Sequence, residues 1–277
     1  MQVYLKIVVT SILLLSSLAI ADTRIKGTGG VSSISGSGGG GIIPWATLGG
    51  LATQDQSSMT GFISRADVDD FTLDVKGLAV NLNNRVEFSL ARQDFTIKAN
   101  DAQISQNKYG LKVKVAGDLI FGQLPQVSVG IEGNSLRDPE TARAVGARDD
   151  DGIDVYVSAA KAWIDGPFHR TSMLNLNVRS TRANQFGLLG YGGDDQDRQL
   201  MIEAAAAMFV TRSLAIGIEY RQKADNLSAL IEEDASDVFI AWFPNKHLSL
   251  TAAYVRLGDI AGAPNQNGFY FSLQGAL

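Results

Sequence analysis

The sequence predicts an all-β protein, a transmembrane antiparallel up-and-down β-barrel of about fourteen strands, with twelve as the alternative, after a cleaved signal peptide. Three observations carry this reading. Apolar residues alternate with small or polar ones in segments of roughly 9 to 13 residues, the length of a tilted strand crossing a bilayer rather than the roughly 5 to 6 of a soluble strand. Links between the segments alternate short and long over the C-terminal two-thirds. The acidic clusters all fall in the long links, hence on one side of the sheet.

Composition narrows the classes first. Of the 277 residues, 45% are hydrophobic, enough for a packed structure, and 19% are charged, below the roughly 25% of a soluble domain. A net charge of −5 with no Lys/Arg stripe argues against a nucleic-acid partner. The absence of cysteine removes disulfide scaffolds, thiolate metal sites, catalytic thiols and a lipidated cysteine anchor.

Residues 1–21, MQVYLKIVVTSILLLSSLAIA, read as a signal peptide. Lys6 gives a positive start, Ile7 to Leu18 an apolar core, and Ala19-Ile20-Ala21 a small-x-small cleavage site before Asp22. That core is short of the roughly 20 residues a spanning helix needs, and no run of 18 apolar residues follows it. Residues 22–41 form a glycine-rich segment, either a first strand or a plug, and 42–277 are assigned to the barrel.

The alternation runs through the rest of the chain. Leu214, Ile216, Ile218 and Tyr220 fall on every second position, as do Val86, Phe88 and Leu90, then Leu111, Val113 and Val115. Val127, Val129 and Ile131 continue it, followed by Leu174, Leu176 and Val178, by Leu248, Leu250 and Tyr254, and by Phe269, Phe271 and Leu273. Successive strand side chains point to opposite faces, so each segment has one oily and one small or polar face. Strands are expected near 42–53, 58–66, 71–82, 85–97, 110–121, 125–134, 152–162, 169–182, 198–209, 213–222, 236–243, 246–257 and 268–277. Arg24 to Ser35 would supply one more for an even count, and a glycine-rich start folded inside the barrel would leave twelve. Short links fall at Asn83-Asn84, 122–125, 210–212 and 244–246, and long ones at 98–108, 134–151, 183–197, 223–235 and 258–267. Asp149 to Asp151, then Asp194, Asp195 and Asp197, then Glu232, Glu233 and Asp234 occupy the long set. A soluble sandwich also alternates, but has no reason to keep this asymmetry of links.

GGVSSISGSGGGGIIPWATLGG (Gly29 to Gly50), TQDQ (Thr53 to Gln56) and RVEFSLARQDF (Arg85 to Phe95) resemble the proteobacterial outer-membrane proteins of domain-of-unknown-function family 3034. The likeness is sharpest from Gly27 to Phe95, and further on it lies in the strand layout. It implies a barrel and an outer-membrane address, and no substrate. Such proteins end in an aromatic residue that the barrel-assembly machinery reads. Here the last residue is Leu277, with Phe269 and Phe271 on the matching face.

Few residues suggest chemistry. Gly36 to Gly41 satisfies G-x-G-x-x-G, but a Ser/Gly stretch precedes it and Pro44 follows, so the strand and helix of a nucleotide site are missing. The glycines read as a flexible crossing or a close backbone approach. Neither the spacing nor the residues imply a cofactor. His169 and His247 fall in separate short turns, away from the long-loop side where surface lipid chemistry or proteolysis would sit, and no enzyme is expected. Asp149, Asp150 and Asp151 are weak candidates for a divalent cation and lack the spacing of a helix–loop–helix site. The register turns Glu87, Lys112, Lys114, Asp118, Glu132, Asp154, Arg179, Glu203, Glu219 and Arg221 inward. Charges at the lipid midplane cost roughly 2–4 kcal/mol each, so these need an aqueous or ion-paired lumen. Trp45, Trp163 and Trp242 lie near strand ends and are expected in interfacial aromatic girdles.

Two functions are compatible with this outline. One is a passive channel for small solutes, weakly ion-selective because its wall carries both signs. The other is a structural or surface-binding barrel with a plugged lumen, whose acidic loops contact cations or lipopolysaccharide. Outer-membrane lipid and lipopolysaccharide are the partners expected of either.

Overall fold

In the computed structural model, which describes residues 25–228 and 230–277, twelve strands among the described residues close into an antiparallel barrel. The predicted signal peptide lies outside the described residues. A hairpin of β1 (Val31–Ser32) and β2 (Gly38–Gly39) stands apart from the wall. The wall runs β3 (Ser57–Val68), β4 (Phe71–Leu82), β5 (Val86–Ile97), β6 (Ala102–Ala116), β7 (Gln126–Leu136) and β8 (Asp151–Trp163). It continues through β9 (Ser172–Thr181), β10 (Gln199–Phe209), β11 (Leu214–Arg221), β12 (Ala235–Trp242), β13 (Leu248–Arg256) and β14 (Asn267–Ala276). Strand β14 returns to β3, from Gly268 opposite Val68 to Ala276 opposite Thr60. Closure leaves no open edge, the condition hydrocarbon imposes on any sheet that crosses it. No helix of the described residues is long and apolar enough to span a membrane.

Alternation governs the wall throughout. Phe88, Ile63, Val238 and Phe271 are each about half exposed on the outside, and their sequence neighbours are buried in the lumen. Tight turns do local work: Asn83 and Asn84, at φ 55° and 48°, give the β4–β5 hairpin two left-handed central residues, the geometry that matches the right-handed strand twist.

The structure corrects three sequence expectations. The strand count is twelve, the alternative, rather than fourteen, because residues 25–35 and 42–53 are not wall strands and the barrel starts at Ser57 rather than Ile42. Link 98–108 is not long: β6 begins at Ala102 and ends at Ala116, so 110–121 is displaced and Asp118 lies past the strand end. The alternation of link length therefore holds only from β6 onward, with 117–125, 164–171, 210–213 and 243–247 at the short-turn end. The opposite, long-loop end carries 137–150, 182–198, 222–234 and 257–266, and with them the acidic clusters, save that Asp151 opens β8. The first of these loops includes the short helix α1 (Glu140–Ala144).

Candidate functional site

The lumen is filled. Every residue from Gly30 to Gly50 is buried, although this stretch belongs to no wall strand. Its backbone folds on itself through β1 and β2, with Ile34 N donating to the Gly41 carbonyl at 2.9 Å and Gly40 N to the Ile43 carbonyl at 3.0 Å. Most of its remaining peptide groups would be stranded away from water, and an unpaired buried amide or carbonyl is costly. Inward-facing wall side chains meet them.

Acceptors on the wall face plug amides. Glu87 takes Gly38 N on Oε1 at 3.0 Å and Gly49 N on Oε2 at 2.6 Å. Glu219 takes Ile42 N at 2.9 Å and the Trp45 indole N–H at 3.0 Å, and Asn175 Oδ1 takes Ala46 N at 2.9 Å. Donors face plug carbonyls. Lys112 Nζ reaches Gly38 O at 2.6 Å and Trp45 O at 3.1 Å, and Arg221 reaches Ile42 O at 2.8 Å. Gln93 donates to Ile34 O at 2.7 Å, Asn81 to Gly49 O at 2.9 Å and Asn177 to Pro44 O at 2.6 Å. Gln126 and Ser128 converge on Ala46 O, each at 2.6 Å.

Glycine is required here by close approach. A Cβ on Gly39 would lie 2.4 Å from the Ile43 carbonyl oxygen, and one on Gly38 2.5 Å from Gly49 N. A Cβ on Gly40 would sit 1.7 Å from Glu219 Oε1. The G-x-G-x-x-G match is thus the core of a plug, in keeping with the close-approach reading.

Eight of the ten predicted inward charges are buried in the lumen: Glu87, Lys112, Glu132, Asp154, Arg179, Glu203, Glu219 and Arg221. Arg179 gathers Glu203 at 2.6 Å, Glu132 at 2.8 Å and Asp154 at 3.7 Å, with its guanidinium carbon 4.9 Å from the Tyr156 ring centroid. Arg221 lies 3.3 Å from Glu203, and Lys112 3.2 Å from Glu87. Ser35 ties the plug to this network by donating to Glu132 at 2.8 Å. Buried pairs of this kind add little net stability over an apolar replacement, but losing one partner is expensive, so the network fixes where the plug sits.

The other two differ. Lys114 is only partly covered, near the short-turn end, 3.7 Å from Asp118. Asp118 caps its own turn by accepting Ile120 N and Phe121 N at 2.9 and 2.8 Å. Burial raises the Asp118 pKa, but these amides and Lys114 outweigh it, so the carboxyl titrates below its ordinary range. Asp118 does not line the lumen, because the strand ends at Ala116, whereas Lys114 keeps its inward register opposite the buried Ser128 at the mouth of the barrel. Sequence reasoning missed Lys108, placed in a link but buried inside β6 with Nζ on Asn134 Oδ1 at 2.6 Å and Phe186 O at 2.9 Å. It also missed the uncharged donors Gln93, Gln126, Ser128 and Asn177, for which inward period-two positions were the available signal.

A second obstruction enters from the long-loop end. In loop 182–198, the residues from Ala183 to Gly193 are buried. Phe186 stacks under Arg221, 4.3 Å from the guanidinium carbon, and Tyr191 bonds to Asn134. Gln185 N donates to Glu232 at 2.9 Å, and Lys223 Nζ lies 3.0 Å from the same carboxyl group. Burial pushes the Glu232 pKa up, and this outweighs the pull of Lys223 and the Gln185 amide.

The remaining expectations resolve as follows. Trp163 and Trp242 are 42% and 49% exposed at strand ends on the short-turn side, where a girdle would lie. Trp45 is a correction, since it is buried in the lumen as a donor to Glu219. Asp149 and Asp150 are held by Arg182 at 2.8 Å and by Arg143, and no group of three potential metal ligands assembles among the described residues. The weak cation candidates Asp149, Asp150 and Asp151 therefore form no shared site. His169 pairs with Asp165 at 3.1 Å and His247 with the Ala276 carbonyl at 2.9 Å, in separate short turns as expected.

Fold and lumen together define a closed, twelve-stranded antiparallel β-barrel with the fold of outer-membrane barrels and a filled interior of mixed charge. The chain belongs to the family described as Protein of unknown function (DUF3034), whose model matches residues 28–274 and so takes in plug and wall together. Among solved structures, the KdgM porin in complex with disordered oligogalacturonate aligns with a TM-score of 0.50 and 9% identity, over 78% of this chain and 98% of that one. The NanC porin aligns at 0.47 and 9% over 80% and 100%, and the COG4313 outer membrane channel from Pseudomonas putida F1 at 0.44 and 13% over 82% and 96%. At such identity the KdgM alignment speaks for the barrel fold alone. No curated protein sequence matches the chain.

Proposed function

We propose that this protein is an outer-membrane barrel that rests closed, with Thr28 to Ala52 as its own plug and loop 182–198 as a stopper at the outer, long-loop end. The observation that carries this reading is the matching of plug to wall: inward acceptors meet plug amides and inward donors meet plug carbonyls, one by one. A lumen evolved only to wet passing solutes has no need of such pairing. Passage of small solutes then belongs to a state in which the plug has moved, and the mixed charges become a weakly selective wall only in that state. With the short turns in the periplasm, the plug is reached from that side, and the acidic loops face outward towards lipopolysaccharide and its cations.

The test is single-channel recording in planar bilayers of the full chain and of a variant lacking residues 29–50. The full chain is expected to be silent at moderate voltage and the deletion to give discrete conductance steps. Steady conductance from the full chain would remove the closed-state reading. A folded but silent deletion variant would favour a purely structural barrel.

A further inference from the structure

One sector of the lumen breaks the polar rule. At the short-turn end, the inward positions along the consecutive strands β8 to β12 are apolar: Ala162 on β8, Met173 on β9, Ala207 on β10, Ala215 on β11 and Ala241 on β12. Opposite them the plug contributes Gly27, Gly30 and Val31. Between lies a cavity of about 140 Å³. Its ends are aromatic. Phe209 and Phe243 are tilted against each other at 5.8 Å, and Trp45 and Phe239 at 6.4 Å. The small residues make the space: a Cβ on Gly217 would strike the Phe239 ring at 2.4 Å, and one on Gly27 the Phe209 ring at 2.7 Å. Lys26 stands at the edge, with its ammonium directed to Ser213 Oγ at 3.2 Å and Pro244 O at 3.4 Å.

We propose that this cavity is a binding site for a monocyclic aromatic hydrocarbon. A buried water needs two to four polar partners, and a cavity without them stays dry. The volume is close to the roughly 150 Å³ of an engineered apolar cavity in another protein that takes up benzene. Rings on two sides offer the tilted, edge-to-face contacts that aromatic ligands prefer at centroid distances of roughly 4.5–7 Å. A charged sugar would meet Lys26 only at the edge of an almost wholly apolar lining, and a full-length acyl chain exceeds the space. The inference rests on the closed-lumen reading, because the plug supplies one wall and Trp45.

The probe is iodobenzene, a heavy-atom quencher of indole fluorescence, applied to the full chain in lipid nanodiscs. A Trp163→Phe/Trp242→Phe background leaves Trp45 as the sole emitter. Saturable quenching is expected, weakened at least tenfold in apparent affinity by Ala207→Leu, which fills the cavity. Ala241→Val serves as the milder filling variant, and heat-modifiable gel migration reports that each barrel has folded. Quenching that only rises linearly with lipid partitioning, or that is unchanged in folded filling variants, overturns the site. Aqueous iodide quenching Trp45 fully would instead overturn the closed lumen, and the cavity with it.

Discussion

Glu87 is where the plug can be loosened by a single change with a calculable effect. Its carboxylate is almost completely buried, bridges Gly38 N and Gly49 N, and pairs with Lys112, which in turn holds Gly38 O and Trp45 O. One ion pair thus clamps both ends of the glycine core. Hydrogen bonds to a charged group contribute about 1.5–3 kcal/mol each, and removing one partner of a buried pair costs about 3–5 kcal/mol. These figures describe overlapping losses rather than separate ones, so Glu87→Ala should weaken plug docking by about 4 kcal/mol. At 1.4 kcal/mol per tenfold, that is close to a thousandfold in the open-to-closed ratio. Glu87→Gln keeps the shape and one acceptor and should have the smaller effect. Adding Lys112→Ala to Glu87→Ala removes the stranded ammonium, so the double variant should fall short of the sum of the two singles. Open-time fractions in bilayer recordings and protease cleavage within 28–52 both read the change. A folded Glu87→Ala barrel as silent and as protease-resistant as the parent would refute the clamp.

Other consequences can be checked on the same preparations. Gly39→Ala drives a methyl group into the Ile43 carbonyl, and overpacking of this kind costs about 1–3 kcal/mol, so plug cleavage should quicken. Gly61→Ala, with open space around its Cβ, is the control and should change nothing. Glu232 provides a pH test: because burial raises its folded pKa above the ordinary value near 4.5, docking of the Gln185–Tyr191 stopper is fully supported below that value. It weakens as pH rises through the raised value, so the amides of 185–191 should lose hydrogen-exchange protection as the pH is taken upward from about 4.5, after correction for intrinsic rates. Glu232→Gln should abolish that difference.

The wall was legible in the sequence because its two solvents are so unlike. Hydrocarbon outside and polar contents inside force a period of two, and Leu214 to Arg221 keeps it residue by residue in the structure. The plug is surrounded on all sides, so no period marks it, and the apolar run Ile42 to Ala52 imitates a strand. Pro44 was the warning, since it cannot donate to a ladder. Strand β6 was misplaced for a related reason. Its first half, from Ala102 to Asn107, has Ile104 as its one large apolar residue, and that faces inward, so it carries no outward oily stripe to mark it. Trp45 was assigned to a girdle from its neighbourhood alone. What decides its place is the buried Glu219 it serves, a partner 174 residues away.

The inward charges invite a reading as a solute path, and their partners argue for another purpose. Arg179 is held by three wall carboxylates, and Glu87, Lys112, Glu219 and Arg221 reach the plug's own backbone. A peptide backbone presents amides and carbonyls at fixed spacing, so a wall matched to it is specific for one conformation of one segment. Glycine makes that approach possible, since a side chain at 40 would strike the wall carboxylate of Glu219 and side chains at 38 and 39 would strike the plug's own folded backbone. Opening therefore leaves two sets of polar groups to be rehydrated at once. On the proposed plugged reading, ion selectivity measured on a plugless barrel would report a wall that the closed protein does not expose, whereas the frequency of opening would be set by the Glu87 and Glu219 clamps. Variants of those two residues should change how often a pore opens and leave its unit conductance nearly constant. A change in conductance with no change in opening frequency would show that they line a path that was open all along.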